Sequence, residues 1–517
     1  MSYAQIYSAH RDATSGIIVS VEVDIAKGLN QFSIVGLGDR AVDEARDRVS
    51  SALQNTGFQS PKTKNQKTII SLSPASVKKE GAHFDVAIAI GYLVAEGYPL
   101  SNTEQCVYIG ELGLDGSVRA VPAILPLILA CKKAGLSTIY LPKANADEAS
   151  IVPGITLYAV EHLREIIAHH VDKESIAHIS HCELLSWSPA LTDKNTTAPA
   201  VDFKDITGQE RAKRALLIAG AGHHTTLLYG PPGTGKTMLA NALSGILPET
   251  STDEAIEIAV LHSISGKKIQ KEKFQTRPFR APHHSASYSA VIGGGSTLSP
   301  GEISLAHNGV LFLDEFPEFD RRVIESLRQP LEEYSVTITR AKQSHTFPAR
   351  FILVTAMNPC PCGYRGSKTK HCTCSRVELS RYTKKISGPI LDRIDMVVAV
   401  DEVSYESLRS PSKHSVDSAK MKEHVERARA YTYARMRSLG LPEKENGFLS
   451  AKEIPDAIQM TNEAFLLLEK SARSLGISAR AFHRIQKVAR TIADLAESPQ
   501  VEPEHILESL AYRQNNL

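Results

Sequence analysis

The sequence runs to 517 residues, room for about three domains, and its 42% hydrophobic, 22% charged and 6% aromatic content is ordinary for a folded protein. That composition excludes collagen, a continuous coiled coil and wholesale disorder. With 59 Lys+Arg against 57 Asp+Glu the formal charge is +2, so a nucleic-acid surface would have to be a local patch.

The opening MSYAQIYSAHRDATSG lacks a basic-then-apolar leader, and no run reaches the ~18 apolar residues that cross a bilayer; a cytoplasmic protein without a membrane partner is expected. Residues 1–182 read as an α/β domain. Strand-like runs at Gly16–Ile25, Phe32–Val35, Thr68–Leu72 and Thr138–Leu141 accompany a helical pattern over Asp39–Leu53. The turn Val35-Gly36-Leu37-Gly38-Asp39 lacks the third glycine of a dinucleotide fingerprint, and Asp39 would repel phosphate, so a tight turn is the better reading. Residues 183–200, rich in Ser, Thr, Pro and Ala without periodicity, form a linker.

Residues 201–402 alternate helices with buried strands, clearest at Thr226–Tyr229, Val310–Leu313 and Phe351–Thr355, which implies a parallel sheet. Residues 403–517 hold only helical patterns: Val416–Leu439, Ile454–Gln459, Asn462–Leu475, Ala479–Ala496 and Pro503–Tyr512. The expected class is therefore α/β with a small helical C-terminal domain.

Gly230-Pro231-Pro232-Gly233-Thr234-Gly235-Lys236-Thr237 fits G-x-x-x-x-G-K-[ST] and lies between an apolar strand and a helix. Such a loop turns backbone N–H groups toward phosphates, while Lys236 reaches the β/γ oxygens of ATP and the Thr237 hydroxyl ligates Mg²⁺. The strand Val310–Leu313 ends in Asp314, suited to the Mg²⁺ shell, and Glu315, suited to activating the attacking water. The next strand leads into Asn358, whose amide is placed to orient that water; the rival reading is an Asn that starts the turn before Pro359.

At these residues the chain resembles the YifB/ComM family of Mg-chelatase-like AAA+ ATPases. The likeness is carried by Phe279-Arg280-Ala281-Pro282-His283-His284-Ser285, Gly301–Gly309, Asn358-Pro359-Cys360-Pro361-Cys362-Gly363 and Ser387–Asp395. It implies an AAA+ core with an insertion in helix 2, a hairpin before the sensor-1 strand, a helical lid and a homohexameric ring. It assigns sensor 1 to Asn358, the arginine finger to Arg393 and sensor 2 to Arg480. The rival reading of Arg393 is an ion pair with Asp392 or Asp395, and Arg473, Arg484 and Arg490 compete with Arg480.

Two segments offer basic loops. One holds Lys267, Lys268, Lys271, Lys273, Arg277 and Arg280 before Gly293-Gly294-Gly295; the other, Val336–Phe347, alternates like a strand pair with Arg340 and Lys342 near its tip. In the ring that the resemblance implies, these tips would face the channel and track a phosphate backbone. A solvated hairpin is the plain alternative. His283 and His284 read as structural or loop-coupling residues, because adjacent strand side chains face opposite ways.

Four of the seven cysteines, Cys360, Cys362, Cys372 and Cys374, fall within 15 positions and suit a tetrahedral Zn²⁺ site, with free or redox-active thiols as the alternative. Residues 79–135 resemble the Lon-protease-like fold, but His83 and Leu125 stand at the positions of its Ser and Lys, so proteolysis is not expected. The functional expectation is an ATP-dependent DNA motor, a helicase or branch-migration enzyme on single-stranded or branched DNA. The family resemblance associates it with integration of DNA in natural transformation and with recombination proteins as partners. The alternative is a protein remodeller of the chelatase type, working without DNA.

Overall fold

The computed structural model describes residues 3–171, 180–182, 201–267, 274–295, 298–340, 343–367, 370–403 and 417–513. The linker 183–200, Lys268, Lys271, Lys273 and Lys342 lie outside them. The chain divides into two compact units, residues 1–193 with 255–274, and residues 194–254 with 275–517. Among the described residues no helix is long and apolar enough to cross a membrane.

The first unit is built on a mixed eight-stranded sheet. Its order is Ser180–Cys182, Thr156–Val160, Thr138–Pro142, Cys106–Tyr108, Tyr3–Asp12, Ser15–Lys27, Gln66–Ser73 and Gln31–Val35. The long Tyr3–Asp12 and Ser15–Lys27 strands form an antiparallel hairpin, pairing Ile6 with Val21 and Ala4 with Val23 on its buried face. The helix Arg40–Asn55 buries Val42, Ala45, Val49, Ala52 and Leu53, a 3–4 spacing that lays one apolar stripe on the sheet. Asp39 caps it by accepting the Val42 N–H at 3.0 Å, and its other oxygen accepts the Gly81 N–H. The glycine turn before this helix thus ends in a carboxylate that closes the helix N-terminus.

The second unit holds a five-stranded, wholly parallel sheet in the order Phe279–Arg280, Val310–Leu313, Ile352–Met357, Thr226–Tyr229, Met396–Ala399. Ile352–Met357 is buried at every position and apolar at all but Thr355, as expected of a parallel strand covered on both faces. The helices Glu210–Gly222, Ser418–Ser438 and Ala479–Leu495 share one core with the sheet, joining Leu216, Leu228, Val354, Val425, Val488 and Ile492. The C-terminal helices Asn462–Leu475, Ala479–Leu495 and Pro503–Ala511 match the expected positions to within one residue or so. Ser478 starts Ala479–Leu495 by accepting the Ala481 N–H, and buried Ala481, Ile485, Val488, Ala489 and Ile492 give the helix its apolar face.

The segment from 335 to 348 is an antiparallel hairpin, Ser335–Arg340 against Gln343–Pro348, with Arg340 opposite Gln343 at the turn. The glycine segment forms a second small pair, Gly293–Gly294 with Ser299–Pro300. Gly293 has φ +111°, and a Cβ there would meet Ile338 of the hairpin at 2.6 Å, so the two loops are packed together.

Candidate functional site

The loop 230–237 joins the Thr226–Tyr229 strand to the helix Lys236–Ser244, beside the C-terminal ends of the neighbouring strands. Ligand sites of open parallel sheets lie at this end. Gly230 is required by close approach, since a Cβ would come within 2.1 Å of the Val400 carbonyl, and Gly235 takes φ +89° immediately before the helix. A cleft of about 740 Å³ opens here, lined by the loop together with Asn241, His283, His284, Asp314, Glu315 and Asn358.

Lys236 is buried, and its Nζ donates to the carbonyls of Gly230 and Pro231, both at 2.7 Å, and to Asn358 Oδ1 at 3.1 Å. Burial pushes its pKa down to about 8. The Thr237 hydroxyl donates to Asp314 Oδ2 at 2.8 Å, and the other carboxylate oxygen accepts the Glu315 N–H at 2.8 Å. Glu315 adopts a left-handed backbone, φ +48°, a strained conformation for a non-glycine residue that turns the chain sharply at the strand end. A hydroxyl and a carboxylate this close form a hard-oxygen pair that fits Mg²⁺, and a buried ammonium beside an open cleft fits polyphosphate.

Two sequence readings change at this cleft. His283 and His284 lie in irregular chain beyond the two-residue strand Phe279–Arg280, so strand alternation does not apply; their rings sit 4.1 Å apart and both face the cleft. His284 Nδ1 lies 3.0 Å from Glu315 Oε2, and His283 Nδ1 meets the Ser285 hydroxyl at 2.7 Å. The second change concerns the basic segment. Arg277 is tied to Glu254 at 3.2 Å and to the Asn308 carbonyl at 2.7 Å, while Arg280 forms a two-pronged pair with Glu302, one arm at 2.6 Å. These two arginines brace the fold instead of tipping a loop, whereas Lys267 is exposed.

Arg393 and Arg480 do not line this cleft. Arg393 is buried, donates to the Pro389 carbonyl at 2.7 Å and pairs with Glu332 at 2.8 Å; Arg480 pairs with the same Glu332 oxygen. Arg393 therefore uses neither Asp392 nor Asp395. Asp395 is held by Arg484 and by the Thr225 N–H at 2.9 Å, and Arg490 is committed to Asp494. Thr225 also donates its hydroxyl to the Arg393 carbonyl at 2.9 Å, which puts Arg393 at the start of the Thr226–Tyr229 strand, the end opposite the phosphate loop. Four strand residues span about 13 Å. Near Arg480 lies a second cavity of about 330 Å³ that also includes Glu332, Asp395, Arg484 and Lys487.

The sulfur atoms of Cys360, Cys362, Cys372 and Cys374 all lie within 4.8 Å of one another, with pairs at 3.3, 3.6 and 3.7 Å. A tetrahedron with Zn–S bonds of ~2.3 Å has edges of about 3.8 Å. Backbone N–H groups of Tyr364 and Thr373 stabilise the Cys362 thiolate, lowering its pKa to about 6.

Family models match three stretches: "Magnesium chelatase, subunit ChlI" over residues 202–408, "Subunit ChlI of Mg-chelatase" over 21–145, and "Magnesium chelatase, subunit ChlI C-terminal" over 415–513. Competence protein ComM of Haemophilus influenzae is 42% identical over 516 residues, covering 99% of this chain and 98% of that protein. The YifB protein of Escherichia coli is 39% identical across 96% of this chain and 94% of its own length. The chain belongs to the YifB/ComM family of Mg-chelatase-like AAA+ proteins. A more distant relative of this family member, the magnesium-chelatase 38 kDa subunit of Rhodobacter capsulatus, is 29% identical over 183 residues, 32% of this chain and 51% of that subunit.

Proposed function

We propose that this YifB/ComM protein is an ATP-driven DNA motor that works as a homohexameric ring on single-stranded or branched DNA. The observation that carries the ATPase half is the convergence of Lys236, the Thr237–Asp314 pair, Glu315 and Asn358 on one cleft. Lys236 holds the β/γ phosphates. Thr237 and Asp314 would hold Mg²⁺, which when bound would supply neutralisation of phosphate charge. Glu315 takes the proton of the attacking water, His284 sets the position of its carboxylate, and Asn358 orients the water. In Asp314→Asn the amide still meets Thr237 but carries no charge for the metal.

Arg393 and Arg480 complete a neighbour's site. One carboxylate facing two guanidiniums leaves an excess positive charge, and the strand separating them from their own phosphate loop is too long for either to reach it. In a ring, the finger and sensor 2 therefore meet the γ-phosphate held by the adjacent subunit. This supports a hexamer whose turnover is coupled around the ring.

The DNA half rests on the basic residues Arg340 and Lys342 within the segment 335–348, together with Lys267 and Lys268 of the other basic segment; such contacts would follow the backbone and make binding salt-dependent. The kinship with a competence protein supports a competence function; the step we assign within it is branch migration during integration of incoming DNA, with recombination proteins as partners. The four cysteines hold a structural Zn²⁺. His83 and buried Leu125 stand where the Lon-like resemblance would need its Ser and Lys, so the N-terminal domain serves assembly or partner binding rather than proteolysis.

The test is the steady-state ATPase rate with and without single-stranded and forked DNA. Stimulation by DNA is expected, Glu315→Gln should lower turnover at least 100-fold while nucleotide still binds, and Arg340→Ala/Lys342→Ala should remove the stimulation. Turnover that ignores DNA in the wild type, yet falls with Glu315→Gln, would instead establish a motor on a protein substrate, the reading favoured by the chelatase kinship.

A further inference from the structure

The cysteine cluster is joined to the nucleotide cleft at two points. Asn358, whose side chain accepts from Lys236, stands two residues before Cys360 on the same turn. Gly363, one residue after Cys362, lies against the phosphate loop itself: it takes φ +84°, and a Cβ there would come within 2.9 Å of Pro232 Cδ. The backbone within and just after this turn is drawn in by sulfur, with the Arg365 N–H donating to Cys360 Sγ at 3.3 Å and the Cys362 N–H to Cys374 Sγ at 3.4 Å. From the far side, the Tyr382 hydroxyl donates to the Asn358 carbonyl at 3.2 Å, and the helix Arg376–Thr383 that carries it begins two residues after Cys374.

The geometry points to a metal-dependent brace of the ATP site: one Zn²⁺ held by Cys360, Cys362, Cys372 and Cys374 sets Asn358 and presses Gly363 onto Pro232. This rests on the zinc and ATPase readings above. Four thiolates this close would repel one another, and a central cation relieves that repulsion; separations under 4.8 Å fit one ion and are too short for four corners of an iron–sulfur cube. Without the ion, the described part of the 360–374 loop keeps the Ser367–Glu402 bond at 2.6 Å and the Lys370–Tyr364 contact, which tie its middle and not its two cysteine ends. Asn358 then keeps only its Lys236 and Tyr382 contacts, and the phosphate loop loses its Gly363 wall. The cysteines are thus positioning residues for Asn358, and none of them touches the nucleotide.

The experiment measures zinc per chain and ATPase kinetics on the same preparations of full-length protein. These are the wild type, Cys372→Ser/Cys374→Ser, and wild type treated with 1,10-phenanthroline, which strips zinc and spares Mg²⁺, with the non-chelating 1,7 isomer as control. One zinc per chain is expected in the wild type and none in the variant. Loss of zinc should lower kcat at least ten-fold with a smaller rise in the dissociation constant for a fluorescent ATP analogue, and added ZnCl₂ should restore the chelated wild type. In an Asn358→Ala background, stripping zinc should lower kcat less than three-fold further, because the residue being positioned is gone. Zinc released with kcat unchanged would overturn the brace while leaving the zinc site standing. No zinc in protein from zinc-supplemented cells would overturn the zinc reading itself. Equal losses on stripping zinc with and without Asn358 would reduce the cluster to a general fold element and overturn the positioning role.

Discussion

At the scale of single residues, the buried ionisable groups decide how the protein answers pH. His83 is half-buried in the first unit, with its Nε2 shut off from solvent and its ring stacked on His10 at 5.5 Å; burial and then the neighbouring His10 push its pKa down to about 3. The unfolded chain binds a proton near pH 6.5 and the folded chain does not, so stability is complete above that pH and declines as pH falls toward 3. From pH 6.5 to 5 this one group removes about 2 kcal/mol. Hydrogen exchange of peptides covering Asp85–Ala95 should therefore accelerate between pH 7 and 5 beyond the intrinsic chemical trend, and His83→Gln should flatten that excess. The residue scale is also where sequence reading reached furthest and failed most clearly. Lys236, Thr237, Asp314, Glu315 and Asn358 were legible because each stands at a fixed offset from a strand end. His284 was not, since the strand alternation used to judge it stops at Arg280 and the chain then turns freely into the cleft. Arg277 and Arg280 read as loop tips because their carboxylate partners, Glu254 and Glu302, lie more than 20 residues away in sequence.

At the scale of elements, the C-terminal helices are held by a buried polar knot that no periodicity reveals. Asp494 is fully buried and accepts from Arg435 at 3.1 and 3.2 Å, from Arg490 at 3.0 Å, from Asn446 at 2.7 Å and from Thr432 at 2.9 Å. These partners come from Ser418–Ser438, Ala479–Leu495 and the short turn 446–448, so one carboxylate fixes the register of three segments. Arg435→Ala removes two of these bonds together with those to Asn446 Oδ1 and the Ala457 carbonyl, and should cost about 3 kcal/mol. Arg473→Ala breaks only an exposed pair with Glu469 and should cost under about 1 kcal/mol. Urea unfolding followed by far-ultraviolet circular dichroism compares the two. The helices themselves were legible to within a residue or so, because Ser478, Thr461 and Gly476 mark their ends by chemistry that acts locally. The edge strand Phe279–Arg280 was not, for two residues carry no period at all.

Across the whole molecule, two guanidiniums stand away from the nucleotide cleft of their own chain. The cleft gathers Lys236, Thr237, Asp314, Glu315 and Asn358, while Arg393 and Arg480 stand together on Glu332 at the other end of the sheet. With a formal charge of +2 over the whole chain, the proposed DNA contact has to come from local positive charge, the basic residues of the segment 335–348. That division was readable only through family likeness, since Glu332 and Arg393 are far apart in sequence and neither stands in a motif with the other. The measurement that bears most directly on this account follows a fluorescently labelled four-way junction as it is converted to duplex products by the wild type and by Glu315→Gln, each with ATP. ATP-dependent conversion by the wild type, at least 100-fold faster than by Glu315→Gln, is the predicted result. Brisk ATP turnover with junction conversion no faster than that of Glu315→Gln would contradict the DNA motor.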